Sequence, residues 1–221
     1  MKKKLTTAHL KEIEAQLSCP TGTKGIEIAT SMNLTNISMT KASIDALNIS
    51  NNDVILEIGH GNCGHLEYVI NKANNISYIG LEISKTMQQE ALLQFNKQQD
   101  SKNISFELYD GEKLPFENNS IDKIFTVNTL YFWKNPTAFL AEISRILKKE
   151  GICIITFAKK DFMQTLPFVN KKFNLYTNDD IDSLLTSNTL KIVNTIHKSE
   201  SIESKIGDYV NREYTLIILK Q

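Results

Sequence analysis

Long apolar runs, paired cysteines and an excess of charge of one sign are all missing from this chain. No stretch approaches the roughly 20 consecutive apolar residues that span a bilayer as a helix, although 41% of the residues are hydrophobic. Met1-Lys2-Lys3-Lys4 is followed by Thr6-Thr7-Ala8-His9, where a secretory leader would place its apolar core. Stable membrane insertion is therefore not expected. The 3 cysteines, Cys19, Cys63 and Cys153, stand far apart with no C-x-x-C pair, which argues against a disulfide framework and for a reducing, cytoplasmic setting. Lys+Arg 25 against Asp+Glu 25 gives a formal net charge of +0. Non-specific binding to nucleic acid draws on a positive excess, so no nucleic-acid partner is expected. No Ser-His-Asp arrangement can be assembled, and His60, Cys63 and His65 have no fourth ligand nearby for a closed zinc site. No metal is expected. Internal repeats and low-complexity tracts are absent as well.

What is present is one stretch around which the rest is arranged, Val54 to Gly64. Val54-Ile55-Leu56 and Ile58 have the pattern of a strand buried on both faces, with the acid Glu57 near its end. Gly59, Gly61 and Gly64 follow at G-x-G-x-x-G spacing, and Leu66, Val69 and Ile70 then fall on one face of a helix. Strand, tight turn and helix N-terminus make a ligand cradle in which glycines let the backbone come close. A pyrophosphate there favours the helix N-terminus and no nearby carboxylate. Glu57, two residues before the first glycine, favours a cationic or amino-bearing ligand instead.

Glu57-Ile58-Gly59-His60-Gly61-Asn62-Cys63-Gly64 resembles the E/D-x-G-x-G-x-x-G motif of the seven-stranded, class I methyltransferases that use S-adenosylmethionine (SAM). Two later stretches carry the same resemblance. Asp110-Gly111-Glu112-Lys113-Leu114-Pro115-Phe116 looks like the family's adenine-side acid closed by L-P-F, and Ser120-Ile121-Asp122-Lys123-Ile124 looks like the approach to its fourth strand. Within the class the chain resembles small-molecule enzymes of ubiquinone and menaquinone biosynthesis. The resemblance implies an α/β, Rossmann-like fold: a mostly parallel sheet of seven strands, helices on both faces, and a helical N-terminal cap over residues 1–49 ahead of the SAM-binding unit at 50–221. It implies cofactor contacts from Glu57, Gly59, His60, Gly61, Cys63, Glu82, Ile83, Asp110, Gly111, Glu112 and Asn128.

The chain between and around these motifs reads as alternating elements. Leu5–Ser18 is amphipathic; Ile26–Met32 starts a second helix, 33–38 reads as a loop, and Thr40 caps a third helix, Lys41–Leu47. This segment either covers a sheet edge or packs over the SAM site. Ile76–Leu81 is a second strand, and Glu82 at its end lies about 20 residues past the glycine turn, where an acid accepts ribose hydroxyls. Ser84 caps a helix over Lys85–Gln99, in which Met87 is expected in the core. Ile104–Tyr109, residues 121–128 and Ile152–Phe157 are further strands, with a proline-started helix from Pro136 to Leu147 between the last two. Cys63 is read as a small residue that fits the turn, although a helix N-terminus also lowers thiol pKa values.

Past the fourth strand, Leu130-Tyr131-Phe132-Trp133 is a dense aromatic cluster, and 159–176 holds too many apolar residues for an ordinary loop. Both follow strand carboxyl ends, where ligands bind in open α/β sheets. Tyr131, Trp133 and Phe168 are accordingly assigned to a small-molecule acceptor pocket, with 159–176 as a lid or a packing helix. Thr177 caps a short helix to Leu185, and Leu190–His197 and Glu213–Leu219 close the sheet. The expected activity is methyl transfer from SAM to a small acceptor; the rivals are a non-catalytic SAM-binding regulator and a nicotinamide-dependent oxidoreductase. Titration calorimetry separates the last of these, since the chain should bind SAM and S-adenosylhomocysteine (SAH) in preference to NAD.

Overall fold

The computed structural model describes residues 6–95, 103–203 and 209–221. Its strands are β1 (Val54–Ile58), β2 (Ser77–Glu82), β3 (Ile104–Leu108), β4 (Ile121–Val127), β5 (Leu147–Ala158), β6 (Lys191–Glu203) and β7 (Tyr209–Lys220), laid out in the order β3-β2-β1-β4-β5-β7-β6. β1 runs parallel to β2 and β4, β2 to β3, and β4 to β5, while β7 lies antiparallel between β5 and β6. The expected seven-stranded, mostly parallel α/β sheet is what forms. Because β1 sits in the middle of the five parallel strands and its neighbours leave in opposite directions, the crevice beyond its carboxyl end is where this topology binds ligands.

Strand alternation sorts the apolar residues onto two faces. Leu56, Ile58, Ile124, Cys153, Ile155, Ile217 and Leu219 face one core, under α5 (Pro136–Ile146) and α6 (Asn178–Leu185). Ile55, Phe125, Ile154, Leu216 and Ile218 face the other, under α2 (Gly22–Ala46), α3 (Leu66–Ile70) and α4 (Lys85–Phe95). α5 is well specified locally: Asn135 caps it by accepting the Ala138 N–H, Pro136 occupies its first turn, and Phe139, Leu140, Ile143 and Ile146 are all buried.

The N-terminal segment differs from its sequence reading. α1 (Thr7–Ser18) is as expected, but Gly22–Ala46 is one helix of 25 residues, with no loop at 33–38 and no new helix at Thr40. Its hydroxyls explain how a Ser/Thr/Asn-rich stretch stays helical. Thr30, Thr35, Thr40 and Ser43 each donate to the carbonyl four residues back, so none competes for a capping geometry. Met39 and Ile44 then bury fully against the sheet. Tertiary packing overrides the local signal. The last two strands are longer than expected because they pair antiparallel from Lys191↔Lys220 to Glu203↔Tyr209, with one register shift between Ile192 and Asn194. The end of the expected helix to Gln99 lies outside the described residues.

α2 and the β6–β7 pair are tied together by Arg212, which is 4% exposed. Its Nε and Nη2 donate to Glu200 Oε1 (3.0 and 2.6 Å), Nη1 to Asn36 Oδ1 (2.8 Å) and Nη2 to the Thr35 carbonyl (2.7 Å). Ser38 bonds the other Glu200 oxygen. Removing one partner of a buried pair leaves the other charge uncompensated, at about 3 kcal/mol or more. Arg212→Met should therefore lower the unfolding free energy by about 3 kcal/mol, whereas Lys159→Met, which breaks a half-exposed pair with Glu213, should cost less than about 1 kcal/mol. Chemical denaturation of the two variants measures the contrast.

Candidate active site

The turn after β1 closes tightly. Gly59 has φ +77°, and a Cβ there would lie 2.4 Å from Thr129 Cγ2, so both dihedral and space require glycine. The loop after β4 braces it from the other side. The Thr126 hydroxyl donates to the Ile58 carbonyl at 2.7 Å and bonds the Thr129 hydroxyl, to which Trp133 Nε1 also donates at 3.2 Å. Cys63 adopts φ +52° with its side chain buried against Tyr78, 3.2 Å from the phenol oxygen. Burial pushes its thiol well above the usual range, so it is a packing residue and no reactive thiolate.

Glu57 and His65 converge beneath this turn. Glu57, 3% exposed, accepts from His65 Nε2 at 2.8 Å and from the Tyr78 hydroxyl, both on Oε2. Burial raises its pKa, but His65 and Tyr78 outweigh it and hold the carboxyl below its ordinary value. Ligand atoms of Glu57, Cys63 and His65 all lie within 4.8 Å of one another, bridged by the Tyr78 phenol. His60 turns away from this group onto Phe106, with ring centroids 5.0 Å apart, and neither ring nitrogen has a hydrogen-bond partner. Burial lowers its pKa to about 4, so it is neutral near pH 7.

Glu82 serves the same turn from β2. Its carboxylate accepts the Gly61 N–H on Oε2 (3.0 Å) and those of Ile83 and Ser84 on Oε1 (2.9 and 3.1 Å). Desolvation raises its pKa against those bonds. The α1–α2 joint packs here: the Ser84 hydroxyl donates to the Pro20 carbonyl and the Gly22 N–H to Thr86. Beside it, Ile83 is half-exposed, and a Cβ on Gly111 (φ +81°) would meet its Cγ2 at 3.3 Å. Asp110 accepts the Glu112 and Lys113 N–H groups at 2.8 Å in an exposed turn, and those bonds lower its pKa. Glu112 pairs with Lys134 on the surface.

Two hollows open at the strand ends. The first is lined by Glu57, Gly59, His60, Gly61, Asn62 and His65, with Met87 and Val127 below and Pro20 and the Ala29–Thr40 face of α2 above. Met87 is fully buried, as expected for core, and still borders this cleft. The second encloses about 660 Å³, part of it open to solvent. Its walls are Tyr131, Phe132, Phe162, Phe168 and Phe173 with Leu17 and Met163, and its polar edge is Thr35, Asn36, Asn128 and Arg212. Met32 and Asn36 belong to both hollows.

The expected site residues thus divide. Glu57, Gly59, His60 and Gly61 line the cleft; Cys63, Glu82, Ile83, Asp110, Gly111 and Glu112 lie around it without lining it. Asn128, in the left-handed region at φ +59°, faces the second cavity, where its Oδ1 accepts the Tyr131 hydroxyl at 3.1 Å. Tyr131 and Phe168 line that cavity. Trp133 does not: it is 5% exposed, packs tilted against Phe139 with ring centroids 4.7 Å apart, and braces Thr129 as described. Sequence reading missed Met32, which it placed in a short helix, Asn33 and Asn36, which it placed in a loop, and Arg212, which it left just ahead of the last strand. A polar helix and a lone arginine carry no local mark of a binding wall.

Residues 56–155 match the methyltransferase-domain family. Phthiotriol/phenolphthiotriol dimycocerosates methyltransferase 1 of Mycobacterium ulcerans (strain Agy99) is 25% identical over 131 residues, 59% of this chain and 46% of that protein. Geranyl diphosphate C-methyltransferase from Streptomyces coelicolor A3(2) superposes with a TM-score of 0.69 at 12% identity, over 93% of this chain and 88% of that one. A SAM-dependent methyltransferase from Aquifex aeolicus gives 0.60 at 17% identity over 97% and 99%. The chain spans 34% to 46% of the length of the mycobacterial relatives it matches. Residues 56–155 are thus a methyltransferase domain, and with the glycine turn, its acid and the strand order all in place the chain has the class I, seven-stranded methyltransferase fold.

Proposed function

We propose that this chain transfers the methyl group of SAM to a small, largely apolar acceptor held in the second cavity. The observation that supports this most strongly is the shared wall. Met32 and Asn36 border both the cleft at the glycine turn and the aromatic cavity, so a donor in one and an acceptor in the other would meet across a single face of α2. Bound there, SAM supplies a methyl group already activated by its sulfonium. The protein's share is then alignment and exclusion of water.

In this reading the Gly59–Gly61 backbone lies along the cofactor, with Glu57 facing its amino group. Among the described residues, apart from Gly61 and its two chain neighbours, no atom lies within 4 Å of a Cβ position on Gly61, which leaves room for close approach. Glu82 faces the ribose and orders the turn through Gly61, and the half-exposed Ile83 beside Gly111 offers an apolar shelf for adenine next to Asp110. Asn128 orients Tyr131 at the cavity wall. Among the described residues lining the cavity, Arg212 is the one charged side chain, which suits an apolar acceptor. Relatives named for phthiotriol dimycocerosates and for geranyl diphosphate are in keeping with such an acceptor. No helix among the described residues is long and apolar enough to cross a membrane.

Incubation with methyl-labelled SAM and a panel of apolar alcohols, thiols and carbon acids tests the proposal, read as acceptor-dependent SAH formation. SAH binding without turnover across the panel would favour a non-catalytic SAM-binding role. Glu82→Ala should weaken SAH binding at least tenfold by calorimetry. It should also lower stability by about 2 kcal/mol, since three backbone N–H groups lose their acceptor. For the cavity, Phe168→Ala should raise the acceptor KM fivefold or more and leave the SAH Kd within twofold. Tyr131→Ala should act in the same direction, with a stability loss of about 4 kcal/mol from the hole it leaves; steady-state kinetics on both variants, below their melting temperatures, reads the split.

A further inference from the structure

We propose that His65 and Tyr78 are positioning residues for cofactor recognition: together they clamp one oxygen of Glu57 and thereby turn the other toward the α-ammonium group of SAM. The inference rests on the methyltransferase reading above and concerns how its cleft tells an amino acid from a plain nucleoside.

The geometry is asymmetric. Both donors, His65 Nε2 at 2.8 Å and the Tyr78 hydroxyl, end on Oε2. Glu57 and His65 line the cleft, while Tyr78 lies behind them in the core at 0% exposure. Among the described residues nothing is bonded to Oε1, and it is not among the buried polar atoms left without a partner, so it has access to the cleft. A carboxylate free to rotate would present either oxygen or neither. Two donors on one oxygen remove that freedom before the ligand arrives, which is how preorganisation raises affinity.

The surrounding groups agree with a donor role for both residues. Burial pushes the phenol of Tyr78 and the thiol of Cys63 well above their ordinary values. Tyr78 therefore keeps its proton for Glu57, and Cys63 at 3.2 Å can donate to the phenol oxygen in turn. The other titratable groups near the carboxylate are His60, neutral and turned onto Phe106, and Glu82, whose oxygens are held by Gly61, Ile83 and Ser84. Neither can substitute as an anion for an ammonium in the cleft. His65 ranks above Tyr78 because it is held in place at the N-terminal edge of α3, with an edge-on contact to Phe125 at 6.4 Å.

The test compares SAH with 5′-methylthioadenosine, which keeps the nucleoside and thioether but lacks the amino-acid group. Calorimetry on the full chain should show wild type binding SAH at least tenfold more tightly than methylthioadenosine. His65→Ala should lose about tenfold for SAH and less than twofold for methylthioadenosine. His65→Gln, which keeps an N–H donor, should recover most of the loss, and Tyr78→Phe should fall between. Equal loss for both ligands in His65→Ala, or no loss for either, overturns the proposal. Equal wild-type affinity for the two ligands overturns it too while leaving the SAM reading intact, whereas binding of neither ligand defeats that reading itself. Should His65→Ala not fold, His65→Gln and Tyr78→Phe decide by the same ratio: an unchanged SAH preference in Tyr78→Phe, or its loss in His65→Gln, counts against the clamp.

Discussion

The turn after β1 can close only because position 59 has no Cβ, and much of the rest of the molecule is arranged around that closure. Thr129 fills the space that a side chain would take. It is held there by Thr126 and Trp133, while Thr126 also bonds the last carbonyl of β1. Glu82 secures the other flank through the Gly61 N–H. Three neighbouring strand ends thus converge on one loop, and the loop positions Glu57 and His65 beneath it. A parallel sheet with β1 at its centre makes this possible, since β2 and β4 deliver their carboxyl ends on either side of the same turn.

The second constraint is that α2 must serve two hollows at once. It buries Met39 and Ile44 against the sheet, turns Asn33 and Asn36 toward the strand ends, and is tied to the β6–β7 pair through Arg212 and Glu200. Its hydroxyl-rich sequence is suited to this work. Side chains bonded back to their own helix carry little desolvation cost at a wall that is partly apolar and partly polar. A more conventional amphipathic helix would have made a better sheet cover and a poorer partition between the two hollows.

Buried polar groups mark the places where packing and ligand binding compete. Glu57, His65 and Tyr78 satisfy one another, and Glu82 is satisfied by backbone, as low-dielectric surroundings demand. His60 is the exception. It sits against Phe106 and Gly80 with both nitrogens unpaired, kept neutral by burial at a position in the turn where its backbone matters more than its ring.

The sequence by itself determined the strands, the glycine turn and the two motif acids, because these are local matters. Apolar runs bounded by turn residues become buried strands, and a positive φ that must pack against Thr129 needs glycine whatever lies elsewhere. It also placed Tyr131 and Phe168 near one another, since both follow parallel strands whose ends meet. Only the tertiary structure decided what depends on distant partners. Arg212 finds Asn36 from 176 residues away, and α2 is helical across 33–38 because the sheet beneath it rewards burial of Met39 and Ile44. Trp133 went to Thr129 and Phe139 instead of the aromatic cavity, because its indole N–H had the Thr129 hydroxyl to meet and its ring a core to fill. Which of two aromatics in one short loop faces a ligand is settled by what packs beneath them, and that information is spread over the whole chain.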